Sequence, residues 1–493
     1  MSLPPTRFDF TAPVPRVEHL GVVHIVAIGG AGMSAVARLL LELGGRVSGS
    51  DSADSPSLRA LEALGATVHV GHDAAHLEGV DTVVVSSAIR ESNPELAAAR
   101  ARGLRVLHRA QALTSLMGTT AVRVAVAGAN GKTTTTAMLA EALAADGLDP
   151  SYAVGADLVR GGGNARLGAG GMFVVEADES DGSFVSYRPQ VAVVTSVQPD
   201  HLDFYGTFDG VREGYRAFVE TIDRVGPGLL VACVDDGGAR ELAGFAAQLG
   251  VRVVGYGQAD DADVRIESIE PDGLTSRASL WHNGVRHALV VPAPGAHTVF
   301  NAAGAFAAAV EGMGASPAGV LAGLADFGGT RRRFELKGEA GGIRVVDDYA
   351  HNPAKVAAAV ATARGVVGED GRLLVVFQPH LFSRTRDFAE EFGAALAPAD
   401  VVIVMDVYGA REDPLPGVTG ALVADAVTAA SAESAVGAHA GQVLFVGERA
   451  DVVPAVMHLA RRGDLVLTVG AGDVTELGPV LLARLSAGRA GLR

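Results

Sequence analysis

Along almost the whole chain, short runs of β-branched residues alternate with alanine- and leucine-rich stretches, and most runs end in glycine or in residues able to do chemistry. VVHIVAIG, GRVSGSD, TVVVSSA and LRVLH open the series. VRVAVAG, MFVVEADESD and VAVVTSVQPDHLD continue it, and IRVVDDYAH, RLLVVFQPH, DVVIVMDVYG, QVLFVG and DLVLTVGAGD complete it. Strand and helix in repeated succession imply parallel sheets covered by helices, an α/β fold whose ligands bind at the carboxyl ends of the strands. A chain of 493 residues exceeds what one hydrophobic core supports, so about three compact units are expected. Breaks in the pattern put them at residues 1–118, 119–333 and 334–493. Residues 260–291 read as strands joined by turns, with Trp281 in a packing role.

Charge and composition narrow the function. A formal net charge of −16 gives no general attraction for nucleic acid or an anionic membrane, so no partner of either kind is expected, and any phosphate-bearing ligand must be held by local groups. The lysines are Lys132, Lys337 and Lys355 alone, which makes a lysine inside a phosphate-binding motif informative. The single cysteine, Cys233, excludes an intrachain disulfide, fits a reducing compartment and reads as a small apolar residue of a core strand. No signal peptide is read at the amino terminus. The apolar stretch Val22–Leu43 is interrupted by glycines and carries Arg38 and Glu42, so it reads as strand, turn and helix rather than a membrane span. A cytoplasmic protein is expected.

Two glycine loops carry the strongest chemistry. In GGAGMSA, Gly30, Gly32 and Ala35 match G-x-G-x-x-G/A, where absent side chains let backbone approach a pyrophosphate at a helix start. Asp51 ends the next strand, where a sugar contact is common. In GANGKTTTT, Gly128, Ala129, Asn130, Gly131, Thr133 and Thr134 offer a phosphate cradle. Lys132 neutralises the β- and γ-phosphates, and the Thr133 hydroxyl suits magnesium. The spacing between Gly128 and Gly131 is shorter than the common phosphate-loop spacing. Acidic clusters end two further strands, EADESD with Glu176, Asp178, Glu179 and Asp181, and DHLD with Asp200, His201 and Asp203. Carboxylates so crowded repel one another unless a cation compensates, and Glu176 and His201 are the foremost candidate ligands.

The ordered series GGAGMS, GANGKTTT, EADESD, DHLD, PGAHTVFNAA, RRRFE, DDYAHNP, FQPHLFSRT, DVYGAREDP and VGAGD, from about Val22 to about Gly478, resembles the Mur ligases. The resemblance implies three domains, each a mostly parallel sheet with flanking helices. They are a Rossmann-like domain for a UDP-sugar, a central ATPase domain of phosphate-loop type and a Rossmann-like carboxyl-terminal domain that admits an amino acid. It implies UDP-N-acetylmuramate and L-alanine as partners, ATP as co-substrate and Mg2+ as cofactor, in a monomer or homodimer. The substrate site it implies includes Gly30, Gly32, Ser34, Asp51, His72, Ser86 and Ser87. Thr133, Glu176 and His201 hold metal, His297 and Asn301 contact adenine, and Asp348 lies near the nucleotide. Lys132, His201, His351 and Arg384 carry catalysis, Arg384 near the acceptor carboxylate and the transferred phosphate.

Asn130, Asn352 and Leu381 depart from the residues common in the family at their positions. Sister ligases use a carbamylated lysine, for which no lysine between Lys132 and Lys337 exists here. Three other readings compete: a ligase of the same build adding another amino acid or a recycled peptide, a nicotinamide-dependent oxidoreductase built on the first glycine loop, and a nucleotide-binding regulator that has lost catalysis, against which Lys132, Thr133, Glu176, His201 and Arg384 all stand intact. The lysine-bearing loop and its acidic partner strands argue against the oxidoreductase.

Overall fold

The computed structural model describes residues 4, 6–161, 163–367, 371–410, 412–433 and 441–487. The architecture is three-domain α/β, with three mostly parallel sheets and flanking helices, and the chain gathers into two compact units. Unit one comprises residues 1–270, 276–292 and 296–330; unit two comprises 271–275, 293–295 and 331–493.

Unit one begins with β1 (Val23–Val26), β2 (Val47–Asp51), β3 (Thr67–Val70), β4 (Thr82–Val85) and β5 (Arg105–His108). All pair in parallel in the order β3-β2-β1-β4-β5, the order of a mononucleotide-binding half sheet. β1 and β4 are buried along their whole length, as a sheet covered on both faces requires. The stretch from Val22 resolves into strand, turn and helix as expected, and among the described residues no helix is long and apolar enough to cross a membrane.

The second sheet of this unit has β6 (Val122–Ala127), β7 (Ser151–Ala153), β8 (Ala165–Arg166), β9 (Met172–Glu176), β10 (Val191–Val194), β11 (Leu229–Cys233), β12 (Arg252–Gly257), β13 (Val264–Asp272), β14 (Thr275–His282) and β15 (Val285–Val291). Its order is β15-β14-β13-β12-β11-β10-β6-β9-β7-β8. The parallel centre places β6 between β9 and β10, so the second glycine loop and both acidic strand ends leave one edge side by side. Cys233 is buried in β11 as expected. Trp281 corrects the reading of a packing residue: it lies on the antiparallel ribbon β14–β15 and is 37% exposed, because alternation along β14 turns it away from the buried Leu280 and His282.

Unit two carries β16 (Glu335–Ala340), β17 (Ile343–Asp348), β18 (Leu373–Phe377), β19 (Val401–Met405), β20 (Gln442–Val446) and β21 (Leu465–Val469), ordered β16-β17-β21-β18-β19-β20. Only β16 runs antiparallel. Placing β21 between β17 and β18 brings DDYAH, FQPH and VGAGD to one edge. Arg411 of DVYGAREDP lies outside the described residues.

Candidate active site

The first glycine loop follows β1 through Ala27, which adopts a left-handed φ of 57°, and Gly30 caps the helix Ala31–Glu42 with φ −66°. Gly30 is therefore not demanded by backbone conformation. The space is needed at its neighbours. A Cβ on Gly29 would come within 2.9 Å of Asp51 Oδ2, and one on Gly32 within 2.7 Å of Arg109 Cδ. The Gly29 amide donates to Asp51 Oδ2 at 2.9 Å, and Ser52 N donates to Oδ1 at 2.8 Å, so Asp51 braces the loop.

Other predicted substrate residues divide. Gly30, Gly32 and Ser86 line a cavity of about 350 Å³ whose wall also includes Arg109, Glu176 and Asp178. Ser34 is buried, donating to Ala31 O at 3.0 Å, with Asn164 Nδ2 at 3.4 Å from its hydroxyl. Ser87 reaches His108 and Asp181. His72 belongs to a cluster around the buried Glu95: its Nδ1 lies 2.9 Å from Ser50 Oγ and 3.0 Å from Glu95 Oε2, while His76 Nδ1 lies 2.8 Å from Glu95 Oε1. Burial opposes the Glu95 charge, yet hydrogen bonds from His24, Ser50 and His76 outweigh it and hold the carboxyl at about 2.

In the second loop the glycines are conformationally required. Gly128 has φ 138° and Gly131 φ 85°; a Cβ would strike Thr195 Oγ1 at 2.0 Å from the first and Asn301 Oδ1 at 2.3 Å from the second. Amides of Ala129 and Asn130 bond to Ser196, and Asn130 Nδ2 donates to Gln198 Oε1 at 3.1 Å, which gives that departure from the family pattern a local role. Lys132 begins the helix Lys132–Ala145, its Nζ donating to Gly128 O at 2.6 Å and lying 2.8 Å from Glu179 Oε2. Burial opposes its charge, but Glu179 and Asp178 overcome this and raise the pKa above the ordinary lysine value. For Glu179 burial is the stronger influence, and its pKa rises despite Lys132.

Thr133 Oγ1 donates to Glu176 Oε1 at 2.9 Å, while Glu176 Oε2 accepts from Gly155 N at 2.7 Å. His201, at φ 52°, has its Nε2 3.9 Å from both Glu179 Oε1 and Asp200 Oδ2. Thr134 is in the same helix turn, and Asn301, 7% exposed, abuts Gly131 from the helix Ala296–Ala307. On that helix His297 has its pKa lowered by burial. Loop, acids and Asn301 are thus brought together. Glu179, the ion-pair partner of Lys132, was only one of four acids in EADESD; its separation of 47 residues from Lys132 leaves no local signature. Among the described residues no three of His, Cys, Asp and Glu converge as a metal cage. Magnesium nevertheless commonly takes one or two carboxylates and completes its shell with water and phosphate, and Thr133 with Glu176 fits that donor set.

In unit two, Asp348 ends β17 and accepts from Phe334 N at 2.9 Å and Ala350 N at 2.8 Å; burial raises its pKa. His351 Nδ1 lies 2.9 Å from Tyr349 O. A carbonyl only accepts, so Nδ1 carries the proton and Nε2 keeps its lone pair. Burial chiefly, with help from Arg384, lowers the His351 pKa to about 4. Arg384 Nη1 donates to the His351 carbonyl at 3.2 Å. Of the remaining departures, Asn352 Oδ1 accepts from Lys355 N at 2.9 Å at the start of the helix Pro353–Val367, and Leu381 holds a left-handed φ of 71° before the Arg384 helix.

Two strand-loop-helix cradles, one carrying a lysine held by strand-end acids, define a nucleotide-phosphate-binding α/β enzyme. Family models sharpen that class: the Mur ligase family catalytic domain matches residues 22–120, the Mur ligase middle domain 126–309 and the Mur ligase glutamate ligase domain 332–472. The chain belongs to the Mur ligase family. It is 56% identical to UDP-N-acetylmuramate--L-alanine ligase of Kineococcus radiotolerans, over 96% of this chain and 98% of that one. With the protein of the same name from Renibacterium salmoninarum it shares 50% identity, over 96% and 97%. A crystal structure of UDP-N-acetylmuramate-alanine ligase from Thermotoga maritima matches with TM-score 0.78 at 28% identity, over 95% and 99% of the two chains. A murein peptide ligase from Psychrobacter arcticus matches with TM-score 0.67 at 25% identity, over 94% and 99%.

Proposed function

We propose that this protein joins L-alanine to the carboxylate of UDP-N-acetylmuramate, consuming ATP and releasing ADP and phosphate through an acyl phosphate, in peptidoglycan precursor synthesis. The carrying observation is the 56% identity over nearly the full length of a relative bearing that name. The murein peptide ligase structure, at 25% identity, is the more distant likeness and leaves the recycled-peptide reading second. ATP and a nucleotide sugar are made inside the cell, which supports a cytoplasmic site of action. The domains we assign are 1–118 for the UDP-sugar, 119–333 for ATP and 334–493 for the amino acid.

A carboxylate is a poor electrophile at neutral pH, so phosphoryl transfer must first give it a leaving group, mainly through positioning and charge neutralisation. The loop Gly128–Thr134 cradles the phosphates through the amides at its helix start, Gly131–Thr134, while Ser196 holds those of Ala129 and Asn130, and Lys132 exchanges Glu179 for phosphate oxygen. Thr133 and Glu176 would hold magnesium, with His201 at a second cation; such ions neutralise charge on transferring oxygens. Asn301 and His297 face the adenine, and Asp348 stays fixed by backbone amides to order the nucleotide-side turn of its own unit. His351, neutral at pH 7, offers Nε2 to the proton of the attacking amine, and Arg384 supplies positive charge for a carboxylate and the oxyanion.

Phosphate release from ATP with UDP-N-acetylmuramate tests this, comparing L-alanine with glycine, L-serine, D-glutamate and the L-Ala-D-Glu-diaminopimelate tripeptide. Release requiring both the sugar nucleotide and L-alanine is expected. Release with the tripeptide alone would replace the acceptor, and none with any acceptor would overturn the catalytic reading.

A further inference from the structure

We infer that Arg109 recognises the diphosphate of the sugar nucleotide, supplying from a neighbouring helix the positive charge that the first glycine loop lacks. This rests on the functional reading above and names the residue that makes its substrate site hospitable to an anion.

The loop Gly29–Ser34 contains no basic residue. The wall of its cavity includes Glu176 and Asp178, which repel any phosphate that enters. Among the described residues Arg109 is the single cation on that wall. The side chain, 19% exposed, lies across Gly32 so closely that a Cβ there would meet its Nη1 at 2.8 Å. Gly32 therefore has a physical reason beyond the helix turn: it admits the guanidinium to the loop.

The guanidinium also holds its hydrogen-bonding capacity in reserve. Among the described residues it makes one ion pair, Nη2 to Asp178 Oδ2 at 3.7 Å, which is beyond hydrogen-bond range. Five N–H donors in a planar fork match two oxygens of a phosphate group. Burial opposes the charge, but Tyr187, Asp178, Asp181 and Glu176 outweigh it, and Arg109 remains a cation. Its position against the first loop, with Lys132 and Thr133 serving the second, assigns it to the sugar nucleotide's diphosphate rather than to ATP.

Calorimetric or displacement binding of UDP-N-acetylmuramate, UDP and uridine to the unaltered protein, Arg109→Gln and Arg109→Lys tests the assignment, with ADP binding as a folding control. Arg109→Gln should weaken UDP-N-acetylmuramate and UDP alike by about 10- to 100-fold while uridine and ADP are unchanged, so the preference for UDP over uridine collapses. Arg109→Lys should fall between, keeping the charge and losing the fork. Loss of UDP-N-acetylmuramate affinity with UDP affinity intact would overturn the inference in favour of the sugar's carboxylate. Unchanged binding of both would reduce Arg109 to a partner of Asp178. Failure of the unaltered protein to bind any uridine ligand while binding ADP would overturn the functional reading itself, and this inference with it.

Discussion

The two glycine loops of unit one share a strand-loop-helix plan but differ in where charge and conformational strain reside. The second loop carries its own cation and its own left-handed residues, with Lys132 inside the motif and Gly128 and Gly131 at positive φ, although Ser196 and Glu179 brace it. The first borrows from its surroundings, with Ala27 taking the left-handed turn, Asp51 fixing the Gly29 amide and Arg109 lying across Gly32. The physical lesson is that a triphosphate requires concentrated charge at the reacting end, whereas a substrate held for positioning can be gripped by residues scattered through the fold.

The strongest way to break this contrast is Lys132→Ala. If the second loop's charge resides in its own lysine, phosphate release should fall by about 10³-fold or more, with UDP binding unaltered. Residual turnover near that of the unaltered enzyme would show that charge is imported there too.

The first loop's dependence on outside support extends down to Glu95, which ties Ser50, just before Asp51, to His72 and His76. Its carboxyl is depressed to about 2 from 4.5. A depressed carboxyl contributes stability that is fully present above its unfolded value and is lost as pH falls through its folded value. Chemical denaturation should therefore show Glu95→Gln less stable by on the order of 3 kcal/mol at pH 7. That difference should shrink between pH 4.5 and about 2, where the native carboxyl also becomes neutral. A difference independent of pH would assign Glu95 a packing role only.

Glycine substitutions give the smaller effects and the sharpest comparison. Gly131→Ala must place a Cβ at φ 85° and within 2.3 Å of Asn301 Oδ1, so a stability loss of about 1–2 kcal/mol and weaker ADP binding are expected. Gly30→Ala, at φ −66° with its nearest neighbour at 3.4 Å, should change thermal stability by less than about 0.5 kcal/mol. Equal destabilisation by the two would remove the distinction between the loops.

Much of this site was legible in the sequence because its elements are local. The strand before each loop, the helix after it, Lys132 with Thr133, and Glu176 at a strand end all sit within a few residues of a recognisable pattern. Glu179 as the partner of Lys132 was hidden because 47 residues separate them. Arg109 lay outside every motif of the sequence, just after the run LRVLH, and an arginine opening a helix directly after a strand offered only a faint signal. Trp281 was misjudged because hydrophobicity indicates a preference for burial, while the register of β14 and β15 decides which face is outward.

The sequence by itself determined the parallel α/β class, the two glycine loops and the family likeness, since hydrophobic periodicity and glycine placement act over one strand or one turn of helix. Only the tertiary structure decided that β6 lies between β9 and β10, so that Thr133 meets Glu176, and that the helix start at Arg109 lies against Gly32. Strand order and long-range side-chain pairing arise from how separate segments bury their apolar faces together. Local sequence supplies those faces, and packing chooses their neighbours.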